Sequence, residues 1–180
     1  MTSYQPVLDF WFTQCRPEQW WQKDAVFDQL IRDQFASLHA QAKQCELYHW
    51  RTEGRGRLAE ILILDQFSRN LYRDSSLAFA CDAMALTLAQ EAVALGIDKQ
   101  LTAQERAFLY MPYMHSESLE IHAIAIPLFE QNNNPDTLEF EMKHQRIIEC
   151  FGRYPHRNAV LNRVSTEAEL AFLQQPNAGF

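Results

Sequence analysis

The sequence predicts an all-α fold that forms a single domain over residues 1–180. Apolar residues recur at the three- and four-residue spacing of amphipathic helices, whereas the alternation typical of β-strands is weak throughout the chain. Helix-capping residues precede several of these periodic segments. Apolar residues make up 47% of the chain and glycine only 5 of its 180 residues, so we expect a hydrophobic core rather than disorder. We find no repeat of fixed period and no linker, and the pattern corresponds to about seven or eight helices.

Four helices are predicted in the N-terminal half of the chain. A turn with two glycines, Gly54-Arg55-Gly56, precedes the third of them. Ser75 or Ser76 can cap the fourth helix, and Gly96 can end it because glycine readily adopts the left-handed conformation found after many helices. The predicted ranges are about Pro6–Gln14, Trp20–Cys45, Arg57–Tyr72 and Ser76–Gly96.

Four more helices are predicted in the C-terminal half. Thr102 with Glu105 and Thr166 with Glu169 have the spacing of capping boxes, in which each side chain caps the other residue's N–H group. Asn134-Pro135 combines a capping residue with a proline at the first helical position. Pro112 is expected to end the fifth helix and Ser116 to cap the sixth. The predicted ranges are about Thr102–Pro112, Ser116–Glu130 and Asn134–Phe151, followed by a short helix after Thr166.

Composition excludes several classes of partner. A net charge of -7 argues against a nucleic-acid-binding protein or one that binds anionic membranes, since both need a basic surface. No apolar run approaches the roughly 20 residues of a membrane span, and the N-terminal residues lack the pattern of a signal peptide. The cysteines are widely spaced without a Cys-x-x-Cys pair, which indicates reduced thiols. We therefore expect a cytoplasmic protein without a metal or cofactor. The sequence does not indicate which protein partner, if any, it binds. The four cysteines are Cys15, Cys45, Cys81 and Cys150.

The segment Phe151–Asn158 is the strongest candidate for a binding site. It contains Arg153, His156 and Arg157 within five residues. Gly152 allows a turn that other residues resist, and a proline inside the segment fixes one backbone dihedral. Cationic groups on a stiff turn are typical of an anion receptor.

Ionisable residues also occur on helix faces that are otherwise apolar. Asp65 and Arg69 lie four residues apart on the third predicted helix, which is apolar on both sides and therefore central. Glu117 shares a face with apolar residues of the sixth helix, and His144 does so on the seventh. An unpaired buried charge is costly, so we expect these groups to contact each other and the arginine-rich turn.

A charge count favours a bound anion. Asp65 and Glu117 supply two negative charges, whereas Arg69, Arg153 and Arg157 supply three positive ones. If the set converges, a carboxylate or phosphate would balance it, and arginine forks suit both groups. The alternative is a purely structural network in which these side chains bind only one another.

Two histidines could also support acid–base chemistry. His115 or His144 beside Glu117 would form an acid–base pair, since imidazole changes charge near neutral pH. The sequence has no His-Glu-x-x-His spacing, so no metal site is predicted.

Several longer motifs in order resemble a bacterial family known as domain of unknown function 924. The resemblance covers nearly the whole chain and implies an all-helical fold of tetratricopeptide-type antiparallel hairpins, with no established activity. Asn162 stands where that family usually has glycine. The motifs are Val7–Phe12, Trp20-Trp21, Asp65–Arg73, Tyr110–Glu117, Lys143-His144, Phe151–Asn158 and Arg163–Thr166.

Three functions are therefore considered. The first is binding of a small anion, with Asp65, Arg69, Arg153, His156 and Arg157 forming the site. The second is a hydrolase in which His115 or His144 acts with Glu117 and the arginines stabilise charge. The third is a peptide- or protein-binding helical module, which rests on fold analogy.

Overall fold

The computed structural model describes residues 2–176 and contains no β-strand among them, which confirms the predicted all-α fold. Short 3₁₀ and π-helical turns join the α-helices. The α-helices are α1 (Gln5–Asp9), α2 (Ala25–Lys43), α3 (Gly54–Leu62), α4 (Ser68–Leu71), α5 (Asp82–Ala94), α6 (Ala103–Met114), α7 (Leu119–Gln131), α8 (Pro135–Phe151) and α9 (Glu167–Leu173).

The centre of the fold is one continuous helical rod made of α3, a π-helical turn over Ile63–Phe67, and α4. α2 packs against the π-helical turn and α4, whereas α5 and α6 pack against α3. Leu58, Leu62 and Leu64 are fully buried. The sequence predicted this central position because apolar residues occupy both sides of the helix.

Aromatic side chains from three segments meet at the end of the π-helical turn: Phe67 of the turn, Phe35 of α2, and Phe10 with Trp11 of the π-helical segment Phe10–Gln14 that follows α1. The ring centroid of Phe67 lies 4.9 Å from that of Phe35, 5.4 Å from Trp11 and 6.2 Å from Phe10. Rings packed at these distances bury a large apolar area. This cluster fixes α2 and the segment after α1 against the central rod.

The π-helical turn itself was not predicted, since the sequence indicated an uninterrupted helix over Arg57–Tyr72. Asp65 lies in the middle of this turn. A π-helical turn accommodates one extra residue and changes the direction of the side chains within it; such turns are frequent at functional sites. Apolar periodicity alone does not distinguish it from regular α-helix.

Most of the predicted caps are confirmed. Both capping boxes form, at Thr102 with Glu105 and at Thr166 with Glu169. The Asn134 side chain accepts a hydrogen bond from the Thr137 N–H at 3.3 Å. Gly96 and Gly152 both have φ of 69° and follow helix ends; Asn162 also takes a left-handed φ, of 53°. Asparagine is among the residues that tolerate this conformation where glycine is usual.

Two predicted helix starts were wrong. The second helix begins at Ala25 rather than near Trp20, because the Asp24 carboxylate accepts from the Val26 N–H at 2.8 Å and caps the helix there. Ser118, not Ser116, is the capping position of α7. Ser116 lies in the connection between α6 and α7, where its N–H donates to the Tyr113 carbonyl at 3.1 Å.

Two predictions of where a helix continues or stops were also wrong. Pro112 does not end the fifth helix but lies inside α6, with the buried residues Met111 and Tyr113 on either side of it. The fourth predicted helix is divided into a 3₁₀ turn over Ser76–Phe79 and α5. The Ala78 carbonyl lies at this division and accepts a hydrogen bond from Arg69 Nη1 at 2.6 Å. This side-chain hydrogen bond takes the place of a backbone hydrogen bond of a continuous helix.

The C-terminal half consists of neighbouring helices joined by short connections. α7 packs against both α6 and α8, and the connections on either side of it contain only a few residues. Short connections between packed helices make them antiparallel. After α8, Gly152 reverses the chain into a 3₁₀ turn over Pro155–Arg157, which returns toward α6 and α5.

The segment Ser76–Ala94 is long and apolar enough in composition to cross a membrane. Buried core helices have the same length and composition, so this is weak evidence for a span. Asp82 lies inside the segment and pairs with two arginines of other elements.

Candidate functional site

A cavity of about 840 Å³ lies between the central rod, the end of α6, α8 and the 3₁₀ turn after α8. Its volume is within the range of small-molecule sites. The structure brings five of the predicted site residues to its wall: Arg69, His115, His144, His156 and Arg157. Of the other three, Asp65 lies behind His115, whereas Glu117 and Arg153 bind partners outside the cavity.

Arg157 is the most deeply buried cation of the wall, with 6% of its surface exposed. Its guanidinium carbon lies 4.6 Å from the ring centroid of Phe79 and 4.5 Å from that of Tyr154, so the group is held between two rings. Nη2 donates to the His115 carbonyl at 3.0 Å, and Nη1 reaches Asp82 at 3.4 Å. Nε is buried without a hydrogen bond to any described residue.

The electrostatic surroundings of Arg157 leave its charge incompletely balanced. Burial, followed by the nearby Arg69 charge, lowers the pKa of the Arg157 guanidinium despite the acidic groups around it. Arginine nevertheless stays protonated in proteins. A positive charge that burial and a like charge both disfavour is stabilised by an added anion.

Asp82 was not among the predicted site residues, although it organises both arginines. Its carboxylate forms a two-point ion pair with Arg69, with Nη1–Oδ1 at 2.5 Å and Nη2–Oδ2 at 2.9 Å. In the sequence, Asp82 stands near the start of a helix, where an acidic residue is explained by the helix dipole. Its spacing from Arg69 gave no sign that the two meet.

Asp65 and His115 form a carboxylate–imidazole pair. Asp65 Oδ1 lies 2.6 Å from His115 Nδ1, and Asp65 Oδ2 accepts from Gln66 Nε2 at 2.6 Å. Burial by itself would raise the pKa of Asp65, but the neighbouring His115 and then Arg69 outweigh it and hold the pKa low. Because the ionised carboxylate only accepts hydrogen bonds, His115 Nδ1 donates, which leaves Nε2 for the cavity.

The other two cavity histidines stay uncharged near neutral pH. Burial lowers the pKa of His144 to about 3, and its Nδ1 donates to the Phe140 carbonyl at 2.7 Å. Burial, followed by the Arg157 charge, lowers the pKa of His156 to about 4. Neither ring therefore adds charge to the cavity wall at neutral pH.

Glu117 does not pair with His115 or His144, so the predicted acid–base partner was the wrong carboxylate. It binds Arg163 through two bonds of 2.6 and 2.9 Å and accepts from the Tyr154 N–H at 2.7 Å. Burial would raise the pKa of Glu117, but the Arg163 and Tyr154 hydrogen bonds outweigh it and lower the pKa. The pair fixes the turn that carries Arg157.

Tyr154, one of the two rings that hold Arg157, has buried polar support. Its hydroxyl donates to the Met114 carbonyl at 2.6 Å and lies 3.1 Å from His122 Nε2. His122 in turn contacts the Glu141 carboxylate at 2.6 Å through Nδ1. The position of Arg157 therefore depends on a network that extends into α7 and α8.

Arg153 points away from the cavity, although it stands only four residues before Arg157. It forms a two-point ion pair with Glu169 at 2.6 and 2.8 Å and donates to the Val164 carbonyl. The left-handed Gly152 reverses the chain immediately before it, which directs Arg153 toward α9. Arg153 attaches α9 to the turn.

The Arg153–Glu169 pair predicts a pH dependence of stability. The Arg153 hydrogen bonds, with those of the Thr166 N–H, lower the pKa of Glu169 to about 2. A lowered folded-state pKa stabilises the fold above the ordinary glutamate value of about 4.3, and that contribution is lost as the pH falls toward 2. We expect Glu169→Gln, which keeps the capping bond, to be less stable than wild type at neutral pH. The difference in free energy of unfolding between the two proteins, measured by urea unfolding at a series of pH values, should become smaller as the pH falls. A difference that stays constant with pH would contradict the prediction.

The charge balance of the cavity differs from the predicted one. Glu117 and Arg153 do not belong to the charged group at the cavity, whereas Asp82 does. The two positive charges, Arg69 and Arg157, therefore lie beside the two negative charges, Asp65 and Asp82. Within this linked set of side chains the four charges cancel when His115 is neutral. A proton on His115 would give the set the predicted positive excess.

Apolar side chains surround the cavity mouth and the space between the charged groups. Trp21, with 60% of its surface exposed, stacks on Phe108 at 5.9 Å between ring centroids. Phe79 contacts both cavity arginines. Further apolar lining comes from Trp20, Met111, Met114, Phe140 and Val160.

No three metal-ligating side chains converge within residues 2–176. The geometry is that of a mixed polar and apolar pocket. Its functional groups are the two arginines and the Asp65–His115 pair.

Residues 7–177 match the family model described as bacterial protein of unknown function (DUF924). The chain belongs to this family. The solved structure of another protein of unknown function, from Agrobacterium tumefaciens, superposes with a TM-score of 0.91 and is 35% identical in sequence. The match covers 96% of this chain and 97% of that one. No curated protein matches the chain.

The family assignment confirms the resemblance seen in the sequence motifs. The DUF924 family and the Agrobacterium structure are both described as being of unknown function. Any role for the cavity therefore has to follow from its own chemistry.

Proposed function

We propose that the cavity binds a small organic carboxylate. The supporting observation is Arg157: a buried guanidinium on the cavity wall, held between two rings, with Nε free of hydrogen bonds to the described residues. An unsatisfied buried donor costs about 1–3 kcal/mol, and more when it is charged. A carboxylate in the cavity, beside the guanidinium, would offset the cost of burying this charge.

The charge balance favours one negative charge over two. The four charges of Arg69, Arg157, Asp65 and Asp82 cancel, so a bound monoanion needs one more positive charge. A proton on His115 supplies it, beside the Asp65 carboxylate that would stabilise the imidazolium. A carboxylate fits this balance better than a phosphate dianion.

The apolar lining favours a ligand with an aromatic or other apolar body. Trp20, Trp21, Phe79 and Phe140 lie around the same cavity as the arginines. Sites for organic molecules combine such surfaces with a few polar groups that fix orientation. Benzoate is therefore a suitable probe, and benzamide is its uncharged match.

The proposal is tested by titration calorimetry with benzoate, benzamide and inorganic phosphate. Benzoate is expected to bind more tightly than the other two. Arg157→Met is expected to weaken benzoate binding about 10- to 100-fold, since a hydrogen bond to a charged group contributes about 1.5–3 kcal/mol. Arg157→Lys, which keeps the charge, should lose less. Arg153→Gln is the matched control and should bind as wild type does.

The role of the His115 side chain is tested by substitution. His115→Gln, which cannot carry a positive charge, is expected to bind benzoate more weakly than the wild type. Equal binding of benzamide and benzoate by the wild-type protein would overturn the proposal and support a purely structural ionic network.

A cytoplasmic location, proposed from the widely spaced cysteines, fits the finding that all four cysteines are free. Peptide binding by a tetratricopeptide-like arrangement stays a prediction, because one helical fold can serve many functions.

A further inference from the structure

The buried carboxylate of Asp65 has a specific partner. Arg69 already has a two-point ion pair with Asp82, and its distance to Asp65 Oδ1 is 3.9 Å. The imidazole of His115 is much closer, at 2.6 Å. Burying a carboxylate costs several kcal/mol unless it is paired, so the main electrostatic effect of Asp65 falls on His115.

The pair is arranged to present one ring nitrogen to the cavity. Gln66 holds the second oxygen of Asp65, and the π-helical turn around Asp65 sets the direction of the carboxylate. Nδ1 of His115 therefore carries the hydrogen and Nε2 has a lone pair. A carboxylate behind an imidazole fixes this tautomer and stabilises the imidazolium that forms when Nε2 accepts a proton.

We infer that His115 is the general base of an ester hydrolase, and that the cavity cleaves esters of small carboxylic acids with water. The inference rests on the proposed carboxylate site, which would then be the product site. Water is the nucleophile because the two hydroxyl side chains of the lining are engaged elsewhere. Ser75 Oγ accepts from the Leu77 N–H at 3.3 Å, and Thr137 Oγ1 donates to the Asn134 carbonyl at 3.1 Å.

The reaction balances with the groups present. Nε2 of His115 takes a proton from water as the water oxygen bonds to the ester carbonyl carbon, whose π electrons move to its oxygen. The resulting oxyanion re-forms the carbonyl and breaks the bond to the alcohol oxygen, which receives the proton from the imidazolium. The products are one carboxylic acid and one alcohol; the acid ionises to a carboxylate, and its proton can stay on His115.

The charges that develop in this step match the cavity. A positive imidazolium and a negative oxyanion form together, so the total charge does not change. Asp65 stabilises the imidazolium, and Arg157, whose Nη2 is bonded to the His115 carbonyl, is placed to stabilise the oxyanion. The other titratable or charged groups near His115 are Arg69, Asp82, Glu141, His144 and His156.

The test uses the p-nitrophenyl esters of acetate, butyrate and benzoate, with p-nitrophenyl phosphate for comparison. Wild-type protein is expected to cleave at least one ester at neutral pH. His115→Gln should lower kcat about 100- to 10,000-fold, the usual contribution of acid–base catalysis. His49→Asn, at a half-buried histidine outside the cavity, should be unchanged.

Asp65 acts through His115 and is a positioning residue. Asp65→Asn is expected to lower kcat by a similar factor while KM stays within about threefold, because the loss is confined to the transition state. The double variant should be no slower than His115→Gln alone, since residues that act as a unit are not additive. Thermal unfolding of each variant separates a loss of folding from a loss of chemistry.

The outcomes separate the two proposals. Benzoate binding with no cleavage of any of the three esters overturns hydrolysis and leaves the carboxylate site standing. Cleavage of the phosphate alone, or ester cleavage that survives His115→Gln, also overturns it. Failure of both benzoate binding and cleavage removes both proposals.

Discussion

Asp82→Asn is expected to lower the free energy of unfolding by about 3–5 kcal/mol, the usual effect of removing one partner of a buried ion pair. The substitution keeps the shape of the side chain and removes only its charge. Asp82 pairs with both Arg69 and Arg157, so the variant leaves two neighbouring guanidinium groups facing each other without it. The remaining carboxylate, Asp65, is shared with His115.

The matched control is Asp74→Asn, which removes the carboxylate of an exposed ion pair with Lys23. Side-chain exposures of 65% and 73% place that pair in solvent, where its contribution is about 0–1 kcal/mol. Urea unfolding of the two variants and the wild type gives the comparison. A loss below about 1 kcal/mol for Asp82→Asn would contradict the prediction, because it would equal that of an exposed pair.

The same variant gives a second, independent readout of the cavity. Removing Asp82 leaves the arginines with excess positive charge, so benzoate is expected to raise the unfolding temperature of Asp82→Asn more than that of the wild type. Benzamide should not do so. Equal stabilisation of both proteins by benzoate would show that the anion does not bind beside these arginines.

Phe67→Ala is expected to destabilise the protein by about 3–5 kcal/mol, which is typical when a buried aromatic ring is replaced by alanine. The Phe67 ring is fully buried and contacts Phe10, Trp11 and Phe35 from two other helical segments. The surrounding rings belong to different elements and cannot all collapse into the space. The loss combines the transfer energy of the ring with the cavity that remains.

Tyr48→Ala is the control for this substitution, because Tyr48 is also aromatic but has 67% of its surface exposed. Its replacement is expected to change the free energy of unfolding by less than about 0.5 kcal/mol. Chemical unfolding with unchanged dependence on denaturant concentration would show that both variants unfold in the same way. Similar losses in the two variants would contradict the central position of Phe67.

Helix positions could be read from the sequence where local chemistry decides them. Thr102 and Thr166 cap their helices because each has a glutamate three residues later. Gly152 ends α8 because glycine tolerates the left-handed backbone there. Where tertiary contacts decide, the prediction failed: the Ala78 carbonyl accepts from Arg69 and divides a predicted helix.

The histidines of the candidate site show the same limit. Helix-face analysis correctly identified Asp65 and His144 as ionisable groups on buried helix faces, and His115 was singled out for its place beside Glu117. It could not show which carboxylate would meet which histidine. Glu117 is only two residues from His115 in sequence, yet the fold turns it toward Arg163, and Asp65 reaches the imidazole from fifty residues away.

The sequence by itself determined the all-α fold, most helix caps and the family, because these depend on local periodicity, backbone preference or motif order. Only the tertiary structure decided the ion-pair partners: Asp82 for Arg69, Glu169 for Arg153 and Asp65 for His115. Coulomb attraction and hydrogen bonding depend on distance in space, which spacing along the chain does not encode beyond a helical turn or two.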